Sequence, residues 1–316
     1  MLKKVIVTSL FLVLLNAKDI TPITTIETSG LISDFVEDKG YLYVATDAGS
    51  VDIIDLSTQK IIRKIELPPL LTTKGIFVPS RVHCVDRSHN KTLLVSSGMS
   101  GYRNVWIDDK NGLKKIIDEK KEIMPKSAYF ISENEMVFGS FGSDITLYNS
   151  EENSKIYHRR ISDSTMGGMI LSPNKKKMII SDESGTVTIV DVNSSKILNT
   201  FSSEHVDNIY RVAYANKTLI TAGQDRRVGV YRKDAKAYHI KSDFLVYSVG
   251  LSPSGKTGIY SSGTENTLQL FNTKNAEKGD RLIGHYATPN KIFFINETSI
   301  ISSGDENRIF FWKLKK

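Results

Sequence analysis

The sequence predicts an all-β fold, a seven-bladed β-propeller, and three observations carry that prediction. A short apolar run closing on an aromatic or branched residue recurs at Ile54-Asp55, Ile107-Asp108, Tyr148-Asn149, Val190-Asp191, Tyr231-Arg232, Phe271-Asn272 and Trp312-Lys313. The second members of these pairs lie 53, 41, 42, 41, 40 and 41 residues apart. A period of about 40–45 residues made of short strands corresponds to one four-stranded blade per repeat. The last repeat stops one strand short, and a strand-like segment, residues 22–28, stands ahead of the first.

Taken in order, the chain begins with a targeting pattern. Lys3 and Lys4 precede an uncharged apolar run over residues 5–15, and Ala17 sits where a signal peptidase cuts. That run spans only about half of a bilayer's hydrocarbon core, so residues 1–17 are expected to be a cleaved signal peptide and not a stable membrane anchor. No Cys follows to accept a lipid. Residues 18–316 then form a single propeller, and a monomer is expected. Residues 22–28, with three threonines and two isoleucines, have strand composition and should supply the outer strand of the last blade. Without it that blade would present an open edge.

Inside each repeat, strands alternate with polar turns. In the sixth repeat the turn Ser252–Lys256 places Pro253 and Gly255 where a hairpin wants preset and positive φ. Residues 257–262 and 266–271 read as its second and third strands. Lys175, Lys176 and Lys177 fill the matching turn of the fourth repeat and read as a solvated turn.

The long first interval holds an insertion, residues 67–81, with three prolines and six large apolar residues. The prolines exclude a central strand. It is either a lid packed on its own propeller face or a loop that docks a partner. A smaller extension, residues 98–103, lies between the second and third strands of the next blade, on the face where the insertion should emerge.

Side chains alternate along the innermost strands. Val36, Phe130, Leu171, Val212, Val249, Leu251, Ile292 and Phe294 fit the inter-blade core, and Cys84 falls in that register as a small buried hydrophobe. The other register gives an entrance ring of Ser33, His83, Ser127, Gly168, Arg211, Ser248 and Lys291, with Arg81 and Lys126 just outside and no acid. Below it come Phe35, Val85, Tyr129, Ile170, Ala213, Gly250 and Phe293. Such a cationic mouth attracts an anion or an acidic peptide.

Forty-two basic against 35 acidic residues give a net charge of +7, but no Lys/Arg run exceeds three, so nucleic acid is not an expected partner. A single cysteine excludes an internal disulfide and a Cys-x-x-Cys-His haem site. None of the six histidines has metal-ligand spacing, and there is no nucleophile elbow or P-loop. Ser57 and Lys60 match Ser-x-x-Lys by letters but fall in a hairpin turn. Asp108, Asp109, Glu151 and Glu152 read as solvated turn residues. No catalytic residue, metal or cofactor is expected.

Two repeats resemble the WD-repeat family residue by residue. His205, Val212 to Tyr214 and Asp225 with Tyr231 follow that family's order of His, core strand, turn Asp and final aromatic; His285 with Trp312 does so with Glu306 in the Asp place. The resemblance implies that His205, Asp225 and His285 are structural, hydrogen-bonded within their blades. Gly142, Ser184 and Glu265 stand at the turn-Asp position of other repeats, so the repeat is degenerate. Over its whole length the chain is similar to the NapL-type WD-repeat accessory proteins found with the periplasmic nitrate reductase systems of epsilonproteobacteria. That resemblance implies a non-catalytic periplasmic helper whose protein partners are components of the nitrate reductase. Two rivals stay open: a propeller enzyme of the lactonase or quinoprotein type, and a scaffold for envelope protein assembly. The residues expected to bind a partner are Leu70, Leu71 and Phe77 of the insertion, with Arg81, Arg211 and Lys291 of the mouth.

Overall fold

A computed structural model describes residues 17–99 and 101–315. The targeting pattern lies outside the described residues except for Ala17. Seven antiparallel sheets follow one another: blade 1 (residues 32–66), blade 2 (82–117), blade 3 (125–160), blade 4 (166–201), blade 5 (209–241), blade 6 (249–282) and blade 7 (289–313). In each, the first strand in sequence is innermost and successive strands step outward. No helix among the described residues is long and apolar enough to cross a membrane.

Seven apolar clusters fill the seven gaps between neighbouring blades. The gap between blades 3 and 4, for example, is filled by Val137, Ile145 and Leu147 from one side and Met169, Met178 and Ile180 from the other. Each sheet buries both faces, which is why its central strands read as nearly continuous apolar runs.

The expected closure of the ring is present. Thr24–Glu27 pairs antiparallel with the last strand, Ile26 opposite Ile309, as the outer strand of blade 7. Ile26 is buried in the cluster between blades 7 and 1, with Phe35, Ile301 and Phe311. A second tie was not legible in the sequence: Asp19–Ile20 pairs parallel with the edge of blade 6, and Arg281 holds Asp19 through two hydrogen bonds of 2.8 and 3.0 Å. The N-terminal segment therefore bridges two blades.

The WD-like residues behave as the resemblance implies. In blade 7, Trp312 Nε1 donates to Ser302 Oγ at 2.8 Å, Ser302 meets His285 Nε2 at 2.7 Å, and His285 Nδ1 meets Glu306 Oε1 at 2.7 Å. In blade 5 the His205 ring bridges Thr221 at 2.7 Å and Asp225 at 3.0 Å, and burial holds its imidazole below the ordinary range. Blade 2 keeps only the end of this chain, Trp106 on Ser96 at 3.0 Å.

Two expectations about turn residues need correction. Asp108 is buried and paired with Arg63 of blade 1 at 3.0 Å, since the outer strand of one blade overhangs the next. Lys175 is half-buried and donates to Ser88 of blade 2 at 3.3 Å, so one lysine of that turn reaches across the far end of the channel.

Candidate functional site

The innermost strands decide what lines the channel, and nearly all of them carry a β-bulge one residue in. Ladder pairing skips Ser33, His83, Lys126, Gly167, Tyr210 and Asn290 in blades 1, 2, 3, 4, 5 and 7. A bulge adds a residue without changing composition, so strict alternation loses count there. The expected ring is thereby corrected in two blades. The residue level with Ser127, Gly168, Arg211, Ser248 and Lys291 is Asp34 in blade 1 and Cys84 in blade 2; Ser33 and His83 belong to the bulge layer above. The layer below is Val36, Asp86, Tyr129, Ile170, Ala213, Gly250 and Phe293, while Phe35 and Val85 turn into the inter-blade core. Cys84 is nevertheless buried, against Ala128 and Phe130 of blade 3, and burial pushes its thiol far up.

The mouth is therefore not free of acid. Lys291 Nζ lies 2.5 Å from Asp34 Oδ1 and also donates to the Phe35 carbonyl, and Asp34 Oδ2 accepts the Val85 N–H at 3.1 Å. The expected free cation at Lys291 is a paired one that staples blade 7 to blades 1 and 2. Deeper down, Asp86 accepts the Phe130 N–H at 2.7 Å, and burial pushes its carboxyl up to about 6.

Four other cations at this mouth have no carboxylate partner among the described residues: Arg81, Arg103, Lys126 and Arg211. Each is held by one neutral acceptor. Arg211 Nε donates to the Asn290 carbonyl at 3.2 Å, past the small residues of blade 6, and Arg81 Nε to Ser33 Oγ at 3.3 Å. Lys126 donates to the Met166 carbonyl and Arg103 to the Pro125 carbonyl, and both lie over the Phe141 ring, at 5.4 and 4.9 Å. Burial, then the Arg211 and Arg103 charges, push the Lys126 ammonium down to about 8. Burial, then Arg103 and Arg81, push His83 down to about 3, so it stays neutral and holds Ser97 at 2.8 Å. Lys126, Arg211 and His83, together with the Asp34–Lys291 pair, line a cavity of about 270 Å³, and Arg81 and Arg103 stand outside it. Arg103 was missed in the sequence because it lies on the third strand of blade 2, where no innermost-strand alignment looks.

Lys126 gives a pH test. The folded chain releases its proton near pH 8 and the unfolded chain only near the ordinary value of 10.5. Between those values the unfolded state binds more protons, so this site's contribution to stability rises with pH. Lys126→Met should therefore be more stable than wild type at pH 7, by about 2 kcal/mol after allowing for solvent screening at a half-buried site. The gap should shrink between pH 8 and 10.5, read by urea unfolding at pH 7 and pH 10. A gap that is constant with pH would show that Lys126 is not held at a cost in charge.

The insertion is a β-hairpin, Leu70–Leu71 against Phe77–Val78. Leu67 and Ser80 are buried and anchor its two legs, while Leu71, Ile76 and Phe77 are 47, 59 and 67% exposed. The lid alternative is thereby corrected: the hairpin exposes its apolar side chains, its strands pairing with each other through a tight turn over residues 72–76 with positive φ at Gly75. Leu70 is half-buried. At its base, Arg81 accepts the Ser97 N–H at 2.9 Å and Ser80 Oγ donates to the Ser97 carbonyl at 3.3 Å, so the hairpin and the 98–103 extension adjoin as expected. Of the six expected partner residues, Leu71, Phe77, Arg81 and Arg211 present free chemistry on this face. Among the described residues no group of three or more His, Cys, Asp or Glu side chains could hold a metal ion.

No protein-family model matches the chain, and no curated protein matches it. Among solved structures it is similar to the β-propeller domain of Myceliophteria thermophila Cps50 (Swd1), with a TM-score of 0.73 and 13% identity over 93% of this chain and 99% of that one. It is also similar to a chain of the mitotic checkpoint complex, with a TM-score of 0.76 and 15% identity over 100% of this chain and 98% of that one. At such identities the likeness shows the fold alone, a seven-bladed β-propeller.

Proposed function

We propose that this chain is an exported, non-catalytic, protein-binding propeller of the periplasm, an accessory factor for a periplasmic nitrate reductase. The observation that carries the binding role is the projecting hairpin. It presents Leu71, Ile76, Phe77 and Val78 to solvent beside a mouth with four cations that have no carboxylate partner among the described residues. Apolar anchors rimmed by charge of one sign suit a partner with an acidic, partly apolar face. Export rests on residues 1–17, and the nitrate reductase on the sequence resemblance. The neighbour within the mitotic checkpoint complex is itself part of an assembly, which agrees with a binding role for the fold.

The experiment is complementation. In a bacterium carrying this chain, its deletion should lower periplasmic nitrate reductase activity. Wild type should restore it; a form lacking residues 1–17, or one with residues 70–78 replaced by a tight turn, should not. Undiminished nitrate reductase in the deletion strain would remove the pathway assignment.

The enzyme reading is favoured by one observation, the presence of Asp34 and Asp86 in the channel. Both carboxylates, however, already cap backbone N–H groups of the next blade, and Asp34 is also neutralised by Lys291. Their arrangement suits blade stapling better than coordination. Stoichiometric Ca²⁺ in the purified protein would reverse that preference.

A further inference from the structure

We propose that the channel mouth is a binding site for one oxyanion group, phosphate-type or carboxylate, held between Lys126 of blade 3 and Arg211 of blade 5 above the paired glycines of blade 4. The site is built from three successive blades. Blade 4 contributes Gly167 and Gly168, so no side chain stands between the two cations. A Cβ at Gly167 would lie 1.8 Å from the Ile209 carbonyl oxygen, so the close approach of blades 4 and 5 requires glycine there. That approach brings Arg211 round towards Lys126.

Donors remain to be used. With Nε on the Asn290 carbonyl, both terminal amino groups of Arg211 have no acceptor among the described residues; Lys126 spends one N–H on Met166 and keeps two. Ser127, on the same strand as Lys126, lines the cavity. Arg103 and Arg81 lie behind and add field without contact.

Several half-buried cations of this chain find carboxylates, Arg87 on Asp38, Lys91 on Glu133, Arg227 on Asp225 and Lys291 on Asp34, whereas Lys126 and Arg211 do not. At this cavity Asp34 is taken up by Lys291, which leaves Lys126 and Arg211 without a carboxylate among the described residues; burial, then the Arg211 charge, loosens the Lys126 proton. Crowded like charges destabilise a fold, and an anion that neutralises them relieves that cost. The cavity of about 270 Å³ has room for an oxyanion together with water. A free ion and an acidic group of a docked protein would meet the same donors, so the inference stands apart from the docking reading.

The test uses the mature chain, residues 18–316, at pH 7 and low salt. Inorganic phosphate is titrated by calorimetry, and a hexaglutamate peptide is the second arm. Saturable binding of one phosphate per chain is expected, weakened ~tenfold or more by either Lys126→Met or Arg211→Gln, as loss of a charge-assisted contact implies, and unchanged by Lys64→Gln on the outer strand of blade 1. Peptide that displaces phosphate identifies a carboxylate supplied by a partner as an occupant; peptide that does not identifies a free ion. Melting in phosphate-free buffer checks that the variants fold, with Lys126→Met expected to melt higher than wild type. No saturable binding of either probe, or binding that both variants retain in full, would overturn the proposal.

Discussion

Removing residues 18–28 from the mature chain should lower its melting temperature by roughly 10 °C and turn a monomer into a concentration-dependent assembly. The segment buries Ile26 between blades 7 and 1, worth about 2 kcal/mol. It also supplies main-chain hydrogen bonds on two blades, among them Ile23 N–H to the Phe311 carbonyl at 2.8 Å and Arg281 N–H to the Lys18 carbonyl at 2.8 Å, each worth about 1 kcal/mol. A loss of about 5 kcal/mol corresponds to a shift of that size in a chain this long. Exposing the strand Arg308–Lys313, rich in Ile309, Phe310, Phe311 and Trp312, leaves an apolar edge ready to pair with another chain. Calorimetry and sedimentation read both effects. A truncated protein that stays monomeric with unchanged melting would show that the ring is closed by the blade cores alone. The double tie makes a graded result available: Arg281→Gln should cost little, since the Asp19–Arg281 pair is exposed on both sides.

The second large effect is expected at the hydrogen-bonded chain of blade 7. His285→Ala should destabilise by about 3–5 kcal/mol, because it strands Glu306 in a fully buried site and leaves Ser302 with one partner fewer. Glu306 Oε2 already has no partner, so Glu306→Gln, which keeps an acceptor for His285 and adds an amide donor, should cost much less. Urea unfolding of the two variants separates a charge effect from a hydrogen-bond effect. If both lose equally, the chain of contacts acts by shape rather than by burying a polar network.

The repeat spacing made the blade count legible because each blade ends its third strand on the same step, an aromatic or branched residue followed by a polar one, and that step is a packing requirement repeated at every gap. The closing strand was legible for the same reason: Ile26 must bury where a fourth strand is missing. Asp19–Ile20 was not, since two residues carry no periodicity. The site was half legible. Ser127, Gly168, Arg211, Ser248 and Lys291 fell in the right layer, while Asp34 and Cys84 were displaced by bulges at Ser33 and His83 that leave no compositional trace. That one-residue slip hid the Asp34–Lys291 pair and Asp86, and so made the mouth look acid-free and its floor apolar. A bulge is detectable only from its neighbours: Lys126 sits in blade 3 where Ser33 sits in blade 1, and consistent numbering from the core residues Ala128 and Val212 would have shown it. The hairpin was legible as an insertion, but whether it packs or projects depends on tertiary contacts that alternation does not encode.

The binding face can be located directly by cross-linking. A photo-reactive side chain is placed at Phe77 on the hairpin, and in a second protein at Asn216 in the turn that joins the first and second strands of blade 5, at the opposite end of the propeller. Each is irradiated with the purified periplasmic nitrate reductase components at low salt. Cross-links from Phe77 that fade when Arg211 is changed to Glu, with none from Asn216, are the predicted result. Cross-links from Asn216 alone, or equal cross-linking from both positions that ignores Arg211, would contradict a docking surface formed by the hairpin and the cationic mouth.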